Sequence, residues 1–176
     1  MGGRSDQPGR GRRAGDGVTI LDSTLRDGAQ GTGIAFSVED KLAAVRLLDQ
    51  LGVAYIEAGN PGSNPKDAEF FARARELPLS HARLVAFGST RRKNILPEED
   101  GNLQSLAAAG TPCCAVFGKC WKFHVDCVLE TTYEENFRMI EESCRFLKER
   151  GKEVIFDGEH FFDGWKDDRD FALQAL

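Results

Sequence analysis

No apolar stretch in these 176 residues approaches the roughly 20 that a membrane helix needs. No short apolar core follows the basic N-terminus, as a secretion signal would require. Both absences lead to the expectation of a cytoplasmic protein with no membrane partner. Basic charge is not in excess: 23 Lys and Arg stand against 28 Asp and Glu, a formal net charge of -5. That balance argues against a nucleic-acid partner held by phosphate neutralisation. The five cysteines, Cys113, Cys114, Cys120, Cys127 and Cys144, are odd in number and form no CxxC pair. Free thiols in a reducing compartment fit that pattern. Cys120, His124 and Cys127 match no standard zinc-finger spacing and lack a fourth ligand. Residues 1–16 hold almost nothing apolar and read as a disordered, solvated tail. One domain then covers residues 17–176.

What is present is repetition. Five times a short apolar run ends in a cluster of glycine and charged residues. Val18–Asp22 runs into Ser23-Thr24-Leu25-Arg26-Asp27-Gly28-Ala29-Gln30, and Ala54-Tyr55-Ile56 into Glu57-Ala58-Gly59-Asn60. Leu84–Phe87 runs into Gly88-Ser89-Thr90-Arg91, Ala115–Phe117 into Gly118-Lys119, and Val154–Phe156 into Asp157-Gly158-Glu159-His160. Helical patterns follow: one capped by Ser37 and ended by Gly52, one at about Pro65 to Leu77, and a short one at about Leu103 to Ala109. The longest covers Tyr133 to Arg150, with Thr132 and Glu135 read as its capping box, and a last one starts near Asp168. The fold class is α/β. The first strand-to-helix turn lacks GxGxxG, which excludes a dinucleotide fold. A full (β/α)8 barrel takes about 250 residues, so about five βα units read as the N-terminal part of a TIM barrel, truncated.

In parallel strands all five clusters lie at one sheet edge, where such folds place their chemistry. Asp27 is a hard oxygen ligand for a divalent cation. Arg26 beside it is a clamp for a carboxylate or a developing oxyanion, or else half of a surface ion pair. Glu57 ends the second run, placed to orient Arg26 or to cap its own loop. Asp157 and Glu159 share one side of an extended segment, with His160 beside them, and suit acid–base work or structural hydrogen bonding. The stretch Gly88–Lys93 and Lys119 suit an acid- or phosphate-bearing substrate, or solvation alone. His81 opens a strand and reads as structural.

The segment Asp22–Gln30 resembles the signature of the isopropylmalate, homocitrate and citramalate synthase family, the DRE-TIM metallolyases. Four further stretches are similar to its citramalate synthase branch: Ala35–Lys41, Pro61–Asp67, Ala86–Lys93 and Glu159–Gly164. The resemblance implies an acyltransferase that condenses acetyl-CoA, its co-substrate, with pyruvate to give (R)-citramalate and CoA in isoleucine biosynthesis. It implies a homodimer at full length and a divalent cation (Zn, Mn or Mg) held by Asp27. Arg26, Glu159 and Glu57 become the catalytic set; Arg26, Gln30, Asp157 and Thr90 become the substrate-binding set. The family's His-x-His ligand pair has no counterpart here. Asn60 stands where a bulkier, often aromatic, residue is expected, and Cys120 where a serine is expected. A 2-isopropylmalate synthase, a related acyl-CoA condensing or cleaving enzyme, and a noncatalytic half-barrel that needs a partner chain are the alternatives.

Overall fold

The computed structural model describes residues 18–176. The tail expected at 1–16 lies outside the described residues. Five strands, β1 (Leu21–Asp22), β2 (Tyr55–Glu57), β3 (Arg83–Ser89), β4 (Cys113–Lys119) and β5 (Glu153–Glu159), pair in sequence order. Every pairing is parallel. The helices are α1 (Val38–Leu51), α2 (Pro65–Ala74), α3 (Gly101–Ala108), α4 (Lys122–His124), α5 (Tyr133–Glu149), α6 (Phe161–Asp167) and α7 (Arg169–Ala175). A π turn at Val125–Leu129 extends α4. Sequential parallel pairing with helices between strands is the winding of a (β/α)8 barrel, here as an open half-barrel of five units.

Register sorts the strand residues onto two faces. Val85, Cys113 and Ala115 face inward, with Tyr55, Phe87 and Ile155 packed against them. Ile56, Leu84, Ala86, Cys114 and Val116 face outward into a core shared with Leu42, Val45, Phe70, Phe71, Leu103, Leu106 and Leu147 of the helices. Most apolar burial lies in that outer layer. A fully buried aromatic or leucine side chain contributes about 1.5–3 kcal/mol. At the bottom of the inner face, the Tyr55 hydroxyl donates to Glu153 Oε1 at 2.6 Å, and Arg83 pairs with the same carboxylate. This bridge ties β2 and β3 to β5 and holds the curvature of the open sheet.

Local capping matches the sequence in most places. Ser37 Oγ accepts from the Asp40 amide, and the Asp40 carboxylate accepts from the Ser37 amide, a complete capping box. The box read at Thr132 and Glu135 is only half formed. Thr132 Oγ1 accepts from the Glu135 amide, but the Glu135 carboxylate turns to Arg91 Nη1 at 2.6 Å instead. A buried guanidinium is the stronger partner for that carboxylate. Strand β1 is shorter than the run from Val18, and Val18 itself is 94% exposed. Helix α2 stops at Ala74, short of Leu77. Asp100 starts α3 two residues early by accepting from the amides of Asn102 and Leu103. Neither α4 with its π turn nor α6 leaves a periodic trace in the sequence; both pack over the ends of β4 and β5. Gly164 of α6 lies so close to the end of β4 that a Cβ there would sit 2.1 Å from the Cys120 carbonyl oxygen.

Three backbone amides, those of Ser80, His81 and Ala82, converge on the Asp49 carboxylate at 2.7–3.1 Å and fix the entry to β3. These bonds hold the Asp49 carboxyl below the usual aspartate range. Its stabilisation is therefore complete above the unfolded value of about 3.9 and lost as pH falls through the depressed folded one. The difference in urea midpoint between wild type and Asp49→Asn should shrink as pH drops from about 7 to about 3. Phe70, with no solvent exposure, packs edge-on against Phe71 with ring centroids 5.1 Å apart. Phe70→Ala is expected to lower the unfolding free energy by about 3–5 kcal/mol in the same measurement. A loss under about 1 kcal/mol would show that the outer layer repacks.

Candidate active site

The loop after β1 is built to hold Arg26 outward from a buried anchor. Asp22 starts it by accepting from the Thr24 amide at 3.1 Å and the Thr24 hydroxyl at 3.0 Å. The amides of Arg26, Asp27 and Gly28 all donate to the Ser23 carbonyl at 2.9–3.1 Å, a tight knot. Leu25 is buried in the outer core and pins the knot down. Arg26 then projects over the inner face. Its Nε donates to Glu57 Oε2 at 2.7 Å, its Nη1 contacts Asp27 Oδ1 at 3.2 Å, and its guanidinium lies 4.0 Å from the centroid of the Phe87 ring. Phe87 in turn stacks on Phe117 with centroids 5.3 Å apart. The cation therefore rests on an aromatic platform drawn from β3 and β4.

Glu57 is buried at the end of β2, with its side chain only 5% exposed. Burial pushes its carboxyl up, and the bond and charge of Arg26 pull it down; nearby Asp157 and Asp27 add a smaller upward push. Asp157, on the inner face of β5, is pushed up by burial and then by Glu159, while Arg26 and Lys119 oppose both. Glu159 pairs with Lys119 of β4. Arg26, Asp27, Glu57 and Asp157 thus stand within electrostatic reach of one another, and Asp157 links them to Glu159.

Two cavities open at this end of the sheet. One, of about 350 Å³, is lined by Arg26, Gln30, Phe36, Asn60, Lys66 and Phe87 among others. The other, of about 590 Å³, is lined by Thr90, Phe117, Lys119, Val128 and Met139 among others. Gln30 therefore sits with Arg26, whereas Thr90, nearly buried, belongs to the second cavity. Asn60 is tied into its own loop, its Oδ1 accepting from the Gly62 amide at 2.8 Å.

The basic stretch after β3 forms a clamp rather than an open anion cradle. Arg91 is buried and bonded to Glu135 Oε1 at 2.6 Å and Glu142 Oε2 at 2.7 Å, both on α5. Lys93 Nζ donates to the carbonyls of Leu129 and Glu130. Arg92 reaches water at 77% side-chain exposure, and Lys93 is exposed beside it. The loop after β2 is held by a buried pair whose members end two of the resemblance stretches, Ala35–Lys41 and Pro61–Asp67. Lys41 Nζ donates to Asp67 Oδ1 at 2.6 Å and to the Ala58 carbonyl at 2.9 Å. The Asp67 carboxylate also accepts from Ser63 and Asn64. The Phe87–Phe117 platform and the pairing of Lys119 with Glu159 are further contacts that local pattern does not specify. Register alone would have located them, since each stands on the inward parity of its strand.

Asp27 offers one hard oxygen donor at 65% side-chain exposure, and its Oδ1 is already engaged by Arg26. Among the described residues no group of three or more His, Cys, Asp and Glu side chains is arranged to hold a metal ion. The described residues by themselves do not fit a divalent cation. Cys120 is buried against Gly158, and burial raises its thiol to about 11, so it is an inert packing group. His124 and His160 meet edge-on with ring centroids 4.6 Å apart beside the Lys119–Glu159 pair. No described helix is long and apolar enough to cross a membrane.

The HMGL-like family profile matches residues 17–172. An (R)-citramalate synthase of Aquifex aeolicus (strain VF5) is 50% identical over 159 residues, which is 90% of this chain and 30% of that protein. A 2-isopropylmalate synthase of Streptococcus gallolyticus (strain UCN34) is 30% identical over 159 residues, 90% of this chain and 29% of that protein. The chain thus spans just under a third of the length of these relatives. A crystal structure of hydroxymethylglutaryl-CoA lyase from Pseudomonas aeruginosa superposes with a TM-score of 0.59 at 20% identity, over 79% of this chain and 45% of that one. At that identity the superposition speaks to the fold alone, and it places the five units within a barrel of that kind. On the match of its profile across nearly the whole sequence, the chain belongs to the HMGL-like family.

Proposed function

We propose that this chain carries the N-terminal part of the catalytic domain of a citramalate synthase: an acyltransferase that joins acetyl-CoA to pyruvate and releases (R)-citramalate and CoA in isoleucine biosynthesis. The observation that carries the reading is the Arg26 guanidinium, oriented by buried Glu57 on the Phe87 ring beside a cavity of about 350 Å³. Identity of 50% to a citramalate synthase against 30% to a 2-isopropylmalate synthase favours pyruvate over a branched keto acid.

In this reading Arg26 binds the carboxylate or keto oxygen of pyruvate and stabilises the alkoxide that the keto oxygen becomes. Gln30 borders the same cavity. A base, with Glu159 as candidate, takes a proton from the acetyl methyl group. The resulting carbanion forms the new carbon–carbon bond at the keto carbon, the alkoxide takes up a proton, and water cleaves the thioester to free CoA. Glu57 acts through Arg26 and keeps it aimed. The reading also includes a homodimer at the relatives' full length, a cytoplasmic location and a divalent cation (Zn, Mn or Mg) near Asp27. Ligands for that cation beyond Asp27 would have to come from outside the described residues. A second reading, a noncatalytic half-barrel completed by a partner chain, is favoured by that incomplete ligand set.

The test is a hybrid in which this chain replaces the matching N-terminal portion of the Aquifex synthase. Thiol release from acetyl-CoA should be faster with pyruvate than with 2-ketoisovalerate; the reverse order would defeat the reading. The 176-residue chain assayed alone should release none, and turnover by it would contradict the ligand argument. In the active hybrid, Arg26→Lys should cost about 100-fold or more in kcat, because a point charge cannot hold Glu57 and an oxyanion at once.

A further inference from the structure

Lys119 closes β4 in register with Glu159 at the end of β5. Its position is fixed from two sides. The Lys119 carbonyl accepts from Nδ2 of Asn136, a buried residue of α5, at 3.0 Å. Its ammonium stands 5.3 Å from the centroid of the Phe117 ring and pairs with the Glu159 carboxylate. Asp157 lies two residues before Glu159, on the same inward parity, opposite Phe117. The charged and titratable groups around Asp157 come from every neighbouring element: Glu159 on β5, Lys119 after Phe117 on β4, Arg26 in the loop after β1, Glu57 on β2, and the Cys120 thiol behind. No described side chain donates a hydrogen bond to Asp157. Glu57 is spoken for by Arg26 and Glu159 by Lys119. Of the three inward acids at the rim, one is left without a fixed partner.

We propose that Lys119 is the positioning residue of this acid pair: it draws the Glu159 carboxylate to the β4 side, and so leaves Asp157 as the rim acid that passes a proton to a substrate oxygen held at Arg26. This rests on the condensation reading above and adds to it the source of the alkoxide's proton. The O–H bond of Asp157 breaks as an O–H bond forms on the former keto oxygen, and solvent water reprotonates the carboxylate that remains. Burial first, and then Glu159, push the Asp157 carboxyl up from the usual aspartate range, the direction that favours a donor.

The test needs no substrate, so its failure and that of the condensation reading are separate events. The side-chain carboxyl resonance of Asp157, assigned by its loss in Asp157→Asn, is followed through a pH titration of the 176-residue chain by carbon-13 NMR. In Lys119→Met the midpoint should rise by roughly half to one pH unit, since an opposing cation is gone. In Glu159→Gln it should fall by a similar amount, and Lys119→Arg should restore the wild-type value. A midpoint that stays within about 0.2 units in Lys119→Met, or falls, overturns the proposal. Amide spectra check that each variant is folded. If Lys119→Met is not, Glu159→Gln decides, and a midpoint that does not fall there is equally fatal.

Discussion

The arrangement at the mouth of the sheet depends on the contact between Arg26 and Glu57. A carboxylate as buried as Glu57 cannot stay charged without a partner, and the guanidinium supplies one at 2.7 Å. Such pairs add little net stability, because desolvation of both charges offsets their attraction. Their contribution is geometric. With Nε fixed to Glu57, Nη1 on Asp27 and the guanidinium laid on Phe87, Arg26 is held at the border of the cavity. The loop that carries Arg26 is set by the Ser23 carbonyl and by buried Leu25, so β1, β2 and β3 meet in this contact.

Stability and chemistry occupy opposite faces of the same strands. The outward face is apolar and closed over by α1, α2, α3 and α5. The inward face has a small apolar waist between two polar ends. At the bottom, Tyr55, Arg83 and Glu153 bridge the strands; at the top stand Arg26, Glu57, Asp157, Lys119 and Glu159. The bottom group makes a closed set of partners, as structural groups do. The top group contains carboxyls pushed upward by burial at Glu57 and Asp157, the kind of perturbation found where protons are moved.

Several charges that a sequence reader would assign to ligands are instead used to fix loops. Arg91 sits between Glu135 and Glu142 and locks the loop after β3 to α5. Lys41 with Asp67 locks the loop after β2, with the Ala58 carbonyl as a third member. Loops that must present a site in one geometry need such ties, because their backbones have no ladder to hold them. The result is a tied loop at each of the two cavities, with Phe87 lining one and Phe117 the other.

The alternation of apolar runs with glycine and charge was enough to set five parallel strands, their order and most helices, because a two-sided buried strand and an amphipathic helix each leave a periodic trace. The Asp22–Gln30 motif likewise lies at the sheet end where Arg26, Glu57, Asp157 and Glu159 gather. The sequence was silent on α6 and on α4 with its π turn, whose short, mixed stretches carry no period, and on which partner Glu135 would choose. Only the folded chain decided that Arg91 is buried while Arg92 is exposed, that Thr90 and Gln30 serve different cavities, and that Lys119 belongs to Glu159. Those outcomes depend on register and on contacts between residues 40 to 51 positions apart along the chain. Local pattern cannot encode them, since the free energy that selects a partner arises only when both groups have left water together.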